Sequence, residues 1–525
     1  MIILRKILLI YHTLKFLKFK QLYWQIRYRL KKPTFIKQDK NNISRADNLV
    51  FSYNYVQCSK YLGNNSFRFL NLDKKFNDDI DWNFLEFGKL WNYNLEYFDF
   101  LSQIDISIDE KTRLISDFYS FSIKTKRKLE PYPVSLRTIN IIRFVCGNNI
   151  NKNYIDDYIY QELTFLNNNC EYHILGNHLL ENAFSLLIGG AYFNKLEWYN
   201  KAKSILHTQL EEQILIDGAH FELSPMYHKI ILYRILELID WYSNYTNKDI
   251  EFLEFCRGKA SIMLGWLYNI SFSNGDIPLF KDSAFGITLN NDDLYLYADR
   301  IGIIPQKNAL SDSGYRSYNV DSIEVRMSFA QIGASYQPGH AHADALSFLV
   351  YYKGSPLFVE QGTSTYQIGE RRNLERSTEA HNTVVYKETN QSEVWGGFRV
   401  ARRAKTHLLK DSASFYSGYH DGYNRIGTTH FRSFYFEEKS IEIKDKLSNN
   451  KEGVAYLHIA PGIVVKRLNE SEIRIPHICE IIFKDILDLQ VESYEYANSY
   501  NIYSRADRIV IKFRNEMSTS IKFLP

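Results

Sequence analysis

Cysteine is scarce in this chain: five residues in 525, at Cys58, Cys146, Cys170, Cys256 and Cys479. They are scattered, with no CxxC spacing. That excludes a disulfide framework and a cysteine zinc site, and leaves buried free thiols. Long apolar runs are missing too. No stretch approaches the roughly 20 apolar residues that cross a bilayer. There is no GxxxxGK[ST], no GxGxxG and no GxSxG, so phosphate loops, dinucleotide folds and the hydrolase nucleophile elbow drop out. The net charge of +4 singles out no polyanionic partner, and nucleic acid is not expected. Histidine is sparse as well, 14 in all, which makes its placement informative.

What is present points elsewhere. The length calls for at least two domains. A hydrophobic share of 45% and a charged share of 24% are those of a globular protein. Aromatics are abundant: 39 Tyr, 34 Phe and 7 Trp. A flat ring covers the apolar face of a pyranose, so aromatic-rich clefts suit sugars. The same bias, with abundant Lys, Asn and Ile, also follows from AT-rich coding.

Before Pro33 there are nine Lys/Arg and no acid. The longest apolar run there, Ile7 to Tyr11, is too short for a signal-peptide core, and no small-residue cleavage site follows. Apolar residues recur at Leu14, Leu17, Leu22 and Ile26 with basic residues between them. Two readings stay open. One is a basic amphipathic helix on an anionic membrane surface. The other is a helix packed on the body with its basic face in water. The expected location is cytoplasmic, peripheral at the inner membrane face, with the periplasm as the other compartment.

From about Trp82 to Leu310 the apolar period is near 3.6, as in "YHILGNHLLENAFSLLIGGAYF" and "HKIILYRILELIDWYSNY". Consecutive helices with short polar joins predict paired helices around a common axis. Near Ser311 the period changes. "VDSIEVRMSFAQIG", "ALSFLVYY", "THFRSFYFEEKSIEIKDKL" and "RIVIKFRN" are short, β-branched and aromatic, which predicts an antiparallel sandwich. Helices followed by strands imply joined domains: a basic segment 1–35, a helical domain 36–310 and a β-sandwich 311–525. A cleft at the join is a natural ligand site.

Four fragments carry candidate chemistry. In "GHAHAD", residues 339–344, a strand would turn His340 and His342 to one face. Two imidazoles and a carboxylate suit zinc or manganese, with Glu360 and His381 nearby in sequence. Spacing supports this only in part: a hairpin turning about Gly354 and Ser355 sets Glu360 opposite Leu349. In "DGAHFELSPMYHKI", Ser224-Pro225 reads as a helix start with Tyr227 and His228 in the first turn, where the helix dipole would favour a phenolate. In "ILGNHLLENA", Asn177 and Glu181 share a helix face. Asn177 is either a cap or a donor to a substrate carboxylate. In "ERRNLERSTEAHN", Arg371, Arg372 and Arg376 could grip carboxylate or sulfate, or merely solvate a face.

Taken in order, "GNHLLENA", "GAHFELSPMYH", "GHAHADALSFLVYYKGSPLFVEQGTSTY" and "RSTEAHNTVV" resemble the heparinase II/III-like family of polysaccharide lyases. "IRYRL" at Ile26–Leu30 and "YPVSLRTIN" around Arg137 resemble its bacterial members. The resemblance implies an α+β multidomain fold, an incomplete α/α toroid followed by an antiparallel β-sandwich. It also implies β-elimination on an acidic, uronate-containing polysaccharide. The C5 proton leaves, and then the C4 glycosidic oxygen. Asn177 would neutralise the carboxylate, helped by His178. Tyr227 would protonate the leaving oxygen, and would also be the base for one C5 stereochemistry; His340 would be the base for the other. His178, Arg137, Glu181, Arg371, Arg372 and Arg376 are the substrate-contact candidates. His342, Glu360 and His381 match positions that hold one structural divalent metal in relatives. The chain departs from the family here: the carboxylate is commonly Asp.

Other readings compete. A uronyl C5-epimerase of related fold shares the first step and would suit surface-polysaccharide biosynthesis inside the cell. A non-catalytic glycan-binding protein would keep the fold without needing paired proton donors. A two-carboxylate hydrolase would need a pair such as Glu181 and Glu222 flanking the bond.

Overall fold

The computed structural model describes residues 2–38, 43, 45–46, 48–53 and 60–524. Cys58 lies outside them. Cys146, Cys170, Cys256 and Cys479 are buried free thiols.

The helical part forms an incomplete α/α toroid. Its helices begin where the sequence offers a cap. Ser107, Ser224, Asp249 and Asn290 each accept a backbone N–H three residues on, opening helices Ile108–Thr125, Pro225–Asn244, Ile250–Ile270 and Asn291–Arg300. Helix Gly176–Tyr192 is buried on nearly every face and packs against Pro131–Gly147 and Leu196–Gln213. One apolar core runs through these elements.

A small sheet of Lys60–Gly63, Ser66–Phe69 and Leu72–Lys75 precedes the helices and departs from an all-helical reading. Its turns are Asn64-Asn65 and Leu70-Asn71, all four residues at positive φ. That is the mirror-image turn whose twist suits hairpins, and Asn tolerates it well.

The last helix of the helical part ends at Arg300 and the first sandwich strand begins at Tyr315. Tyr315–Val320, Ile323–Ser328, Phe348–Tyr352 and Ser355–Phe358 form a four-stranded antiparallel sheet in sequential order. It faces a larger antiparallel sheet dominated by the long hairpin Cys479–Ser499 and Ile502–Phe523. Val325, Phe348 and Val350 share a core with Phe434, Ile443, Ile481 and Ile511 across the sandwich. Alternate burial along His430–Glu437 follows from the two-residue strand period.

The two parts are fastened together. Phe272 stacks on Tyr351 at 3.6 Å and Phe280 on Tyr315 at 5.1 Å. Asp217 accepts from the backbone N–H groups of Ser311 and Ser313, both at 3.0 Å, and from the Ser313 hydroxyl at 2.6 Å. The next residue must be glycine: Gly218 has φ +94°, and a Cβ there would meet the Ile262 carbonyl oxygen at 2.1 Å.

Candidate active site

The site is organised by Asp282, a fully buried residue between helices Ile250–Ile270 and Asn291–Arg300. Its Oδ2 lies 2.9 Å from His340 Nδ1, and its Oδ1 lies 2.8 Å from His342 Nε2. Arg372 donates to both oxygens, at 2.5 and 2.6 Å. The Asp282 N–H also donates to the His340 carbonyl at 3.1 Å. Burial alone would raise this carboxyl. The Arg372 guanidinium and the two imidazoles outweigh it and hold Asp282 well below the usual carboxylate range.

The histidine pair therefore converges by a route other than the expected one. Residues 339–345 form no strand; the ladder begins at Phe348. The imidazoles point together because both reach one carboxylate. The hairpin register differs too. Tyr352 pairs with Ser355 and Val350 with Phe358, so the turn is Lys353-Gly354, followed by a bulge. The shift moves Glu360 off the pairing with Leu349 and lets Ser347 Oγ donate to it at 2.5 Å.

An Nδ1–H donated to Asp282 would leave Nε2 as the acceptor nitrogen of a neutral His340. That atom lies 3.7 Å from Glu222 Oε2. The ring of Tyr227 stacks on His340 with centroids 3.7 Å apart. Tyr227 enters this position because Ser224 caps its helix, accepting the Tyr227 N–H at 3.2 Å and donating to the Asp282 carbonyl at 2.7 Å. Its hydroxyl is 3.2 Å from that of Tyr366. Burial, reinforced by Tyr500, pushes the Tyr227 phenol well above its usual range. Desolvation outweighs the helix dipole, so the group is a neutral acid rather than the expected phenolate.

Asn177 stands in the first turn of helix Gly176–Tyr192 and is no cap. Its Nδ2 donates to Glu222 Oε2 at 3.1 Å, and its backbone N–H to Oε1 at 3.3 Å. This approach requires Gly176, at φ +57°, where a Cβ would come within 2.8 Å of Glu222 Oε1. Burial raises the Glu222 carboxyl, against His340. His178 is partly open, with Nδ1 3.1 Å from Glu171. Burial would lower it, but the Glu171 carboxylate reverses this and leaves it raised. Partly exposed Tyr132, His178, Tyr227 and Tyr366, with exposed Phe398, give the site an aromatic mouth.

The other substrate-contact candidates are engaged within the protein. Arg137 is interior, donating to Glu162 at 2.5 and 3.0 Å and to the Glu96 carbonyl at 3.2 Å. Glu181 accepts from Arg234 at 3.1 Å. Glu222, by contrast, accepts from Asn177. Arg372 serves Asp282. Arg376 donates to the carbonyls of Ala341 and Gly397, at 3.0 and 2.7 Å. Arg371, the most open of the three, bonds Glu375 and Glu495. In each of these arginines Nε and both terminal nitrogens already have partners inside the protein, which turns them away from a sugar acid. Sequence reasoning missed Asp282, Tyr366 and Tyr500, and gave Glu222 another role. A lone acid in "LFKDSAFG" carries no signal that separates it from the other carboxylates.

His342, Glu360 and His381 do lie together. The His342 and His381 rings are 5.2 Å apart, and His381 Nδ1 touches Glu360 Oε2. Among the described residues no three His, Cys, Asp or Glu side chains already stand in coordinating geometry. The donor chemistry nevertheless fits a divalent ion. His342 Nδ1 and His381 Nε2 are buried with no hydrogen-bond partner. Burial, opposed by Asp282, lowers His342 to about 4; burial, with His342 beside it, holds His381 well below the usual imidazole range. Both rings are thus neutral, the form that ligates.

Buried neutral histidines also set the acid response of the fold. Burial lowers His228 and His458 to about 3. The unfolded chain takes up these protons near pH 6.5, and the folded chain refuses them. Stability is therefore fully present above pH 6.5 and falls as pH drops toward 3. The melting temperature is expected to decline between pH 6.5 and 4, less steeply in His228→Asn. Equal slopes would remove His228 from this account.

Comparisons with known proteins agree on one family. Residues 133–308 match the family model described as Heparinase II/III N-terminus, and residues 305–524 match Heparinase II/III-like, C-terminal. The chain is 24% identical over 321 residues to a heparin-sulfate lyase of Bacteroides stercoris, covering 55% of this chain and 46% of that protein. It is 26% identical over 245 residues to a heparin-sulfate lyase of Pedobacter heparinus, covering 41% and 36%. The matched region thus spans less than half the length of these curated relatives. Among solved structures, Heparinase III superposes with a TM-score of 0.69 at 16% identity, covering 86% of this chain and 80% of that one. A mutant of the heparan sulfate lyase HepC from Pedobacter heparinus gives 0.60 at 16%, covering 96% and 87%.

Proposed function

The chain belongs to the heparinase II/III-like family, and from that premise we propose that it is a polysaccharide lyase acting on a uronate-containing glycan by β-elimination. The observation that carries this reading is the stacking of Tyr227 on His340 at 3.7 Å, a neutral acid beside a base whose free nitrogen is fixed by Asp282. Adjacent acid and base serve the elimination. His340 Nε2 takes the C5 proton. The C–H electron pair becomes the C4–C5 double bond as the C4–O bond breaks. The Tyr227 hydroxyl gives its proton to the departing oxygen. The C5 proton is a weak acid, so the uronate carboxylate must be stabilised as charge develops, and the Asn177 amide is the donor for it. Glu222 occupies that amide in the free protein and marks where a carboxylate binds. His178 extends the same polar edge. The aromatic mouth offers faces for neighbouring sugars.

The test is one incubation with a panel of uronate polysaccharides in deuterated water, followed by ultraviolet absorbance and by deuterium at C5. An unsaturated uronate is the expected product. Deuterium at C5 without absorbance would replace the lyase by an epimerase. Neither signal on any uronate, with binding retained, would replace it by a glycan-binding protein.

A divalent ion, zinc or manganese, held by His342, Glu360 and His381 would supply a structural cross-link beneath His340. A chelator is then expected to lower the melting temperature of the metal-loaded protein and leave His342→Ala unmoved. Identical melting of both proteins with and without chelator would remove the ion.

A further inference from the structure

Two helices, Ile2–Leu14 and Phe19–Leu30, lie on the outside of the molecule with the usual order of faces reversed. Their inward faces are attached by polar contacts and by a few aromatic ones, Trp24 on Tyr172 at 5.0 Å and Tyr28 on His173 at 4.4 Å. Trp395 Nε1 donates to Thr13 Oγ1 at 3.1 Å. Gln21 Nε2 donates to the carbonyls of Ile174 and Tyr336, both at 3.2 Å. Tyr28 donates to the Cys170 carbonyl at 2.5 Å. Their outward faces are apolar. Leu4, Ile7, Leu8, Tyr11 and Leu14 recur at helical spacing on the first, and Phe19, Leu22, Tyr23, Ile26 and Leu30 on the second. Exposure reaches 61% at Tyr11, 83% at Phe19 and 80% at Leu30. A soluble helix buries such a stripe; contiguous exposed stripes mark an interaction surface.

Charge decides the occupant. Residues 1–32 hold nine Lys/Arg and no acid. Arg5, Lys6, Arg29 and Lys32 flank the stripes, with no ion-pair partner among the described residues. A second copy docking the same face would set positive charge against positive charge. An anionic lipid surface satisfies both features, taking the apolar side chains among its acyl chains and the basic ones at its headgroups. No helix among the described residues is long and apolar enough to cross a membrane. These two, of 13 and 12 residues, have the length to lie in the interface.

We propose that helices Ile2–Leu14 and Phe19–Leu30 are a peripheral docking platform for anionic membrane surfaces, holding the candidate site against a lipid-bound or membrane-proximal glycan. The reading of the platform stands on its own faces and charges, independent of the lyase proposal.

The test is sedimentation of the full chain with phosphatidylcholine vesicles containing or lacking phosphatidylglycerol, at low and high salt. Binding is expected only with the anionic lipid, weakening as salt rises. Replacing Arg5, Lys6, Arg29 and Lys32 by Gln should weaken it on the order of a thousandfold. The variant Ile7→Ser, Tyr11→Ser, Ile26→Ser, Leu30→Ser should abolish it while leaving melting temperature unchanged. Equal recovery with both vesicle types, or anionic binding that survives both variants, would overturn the proposal. So would a salt-independent dimer that the apolar variant dissociates in the absence of lipid.

Discussion

Tyr227→Phe is expected to lower turnover on a uronate glycan by about a thousandfold while leaving the fold intact. The substitution removes a single oxygen. The ring that stacks on His340 stays, and so does the helix start held by Ser224. Among the described residues the side-chain hydrogen bond lost is the 3.2 Å contact with Tyr366, between two partly exposed groups, costing about 1 kcal/mol or less. Stability and substrate binding should therefore change little, and the loss should fall on kcat rather than KM. What disappears is the proton donor for the C4 oxygen, a contribution realised only as the bond breaks. Because burial holds the phenol well above its usual range, the wild-type enzyme should show no alkaline loss from Tyr227 below about pH 10. A tenfold or smaller fall in kcat would show that another group protonates the leaving oxygen. Rising activity toward pH 10 that is absent in Tyr227→Phe would show instead that the phenolate is the working form.

The second large effect is on stability. Asp282→Ala should cost about 3–5 kcal/mol of folding free energy, read as a lower melting temperature and denaturant midpoint. The reason is what it leaves behind. Arg372 is wholly buried and directs two nitrogens at this carboxylate; beyond it the guanidinium has the Gly397 carbonyl at 3.1 Å and the faces of Tyr366 and Phe398, none of them an anion. Removing the anion strands a buried cation. His340 and His342 lose their shared acceptor in the same step, so turnover should fall as well. Asp282→Asn separates the two effects. It keeps the size of the side chain but not the charge, and should recover part of the packing without recovering stability. A loss under about 1 kcal/mol in the Ala variant would mean that the Arg372 pair is not the anchor of the site.

Local rules were enough for much of this. The helical period from Trp82 onward and the change to short β-branched segments near Ser311 appear in the folded chain as helices ending at Arg300 and strands beginning at Tyr315. Such periods report which face of one element is buried, a property each segment carries alone. Ser224-Pro225 placed Tyr227 in a first helical turn because capping and proline are local effects. Quantities that depend on a distant partner were not legible. The hairpin at Lys353-Gly354 differs from the even count by a bulge. The phenolate expected from the helix dipole is overruled by burial that other segments supply.

The sequence by itself determined the order of elements and the unbalanced basic charge before Pro33, since each rests on residue type and short spacing; the roles proposed for Tyr227, His340 and Asn177 come from the family resemblance of the fragments around them. Only the tertiary structure decided that His340 and His342 meet on one carboxylate. Asp282 lies 58 positions from His340 and 90 from Arg372, and no local rule links residues so far apart. It also decided that Arg137, Glu181, Arg372 and Arg376 are spent internally. A buried charge must find its counter-charge wherever the chain brings one, and that choice is made by packing, not by neighbours in sequence.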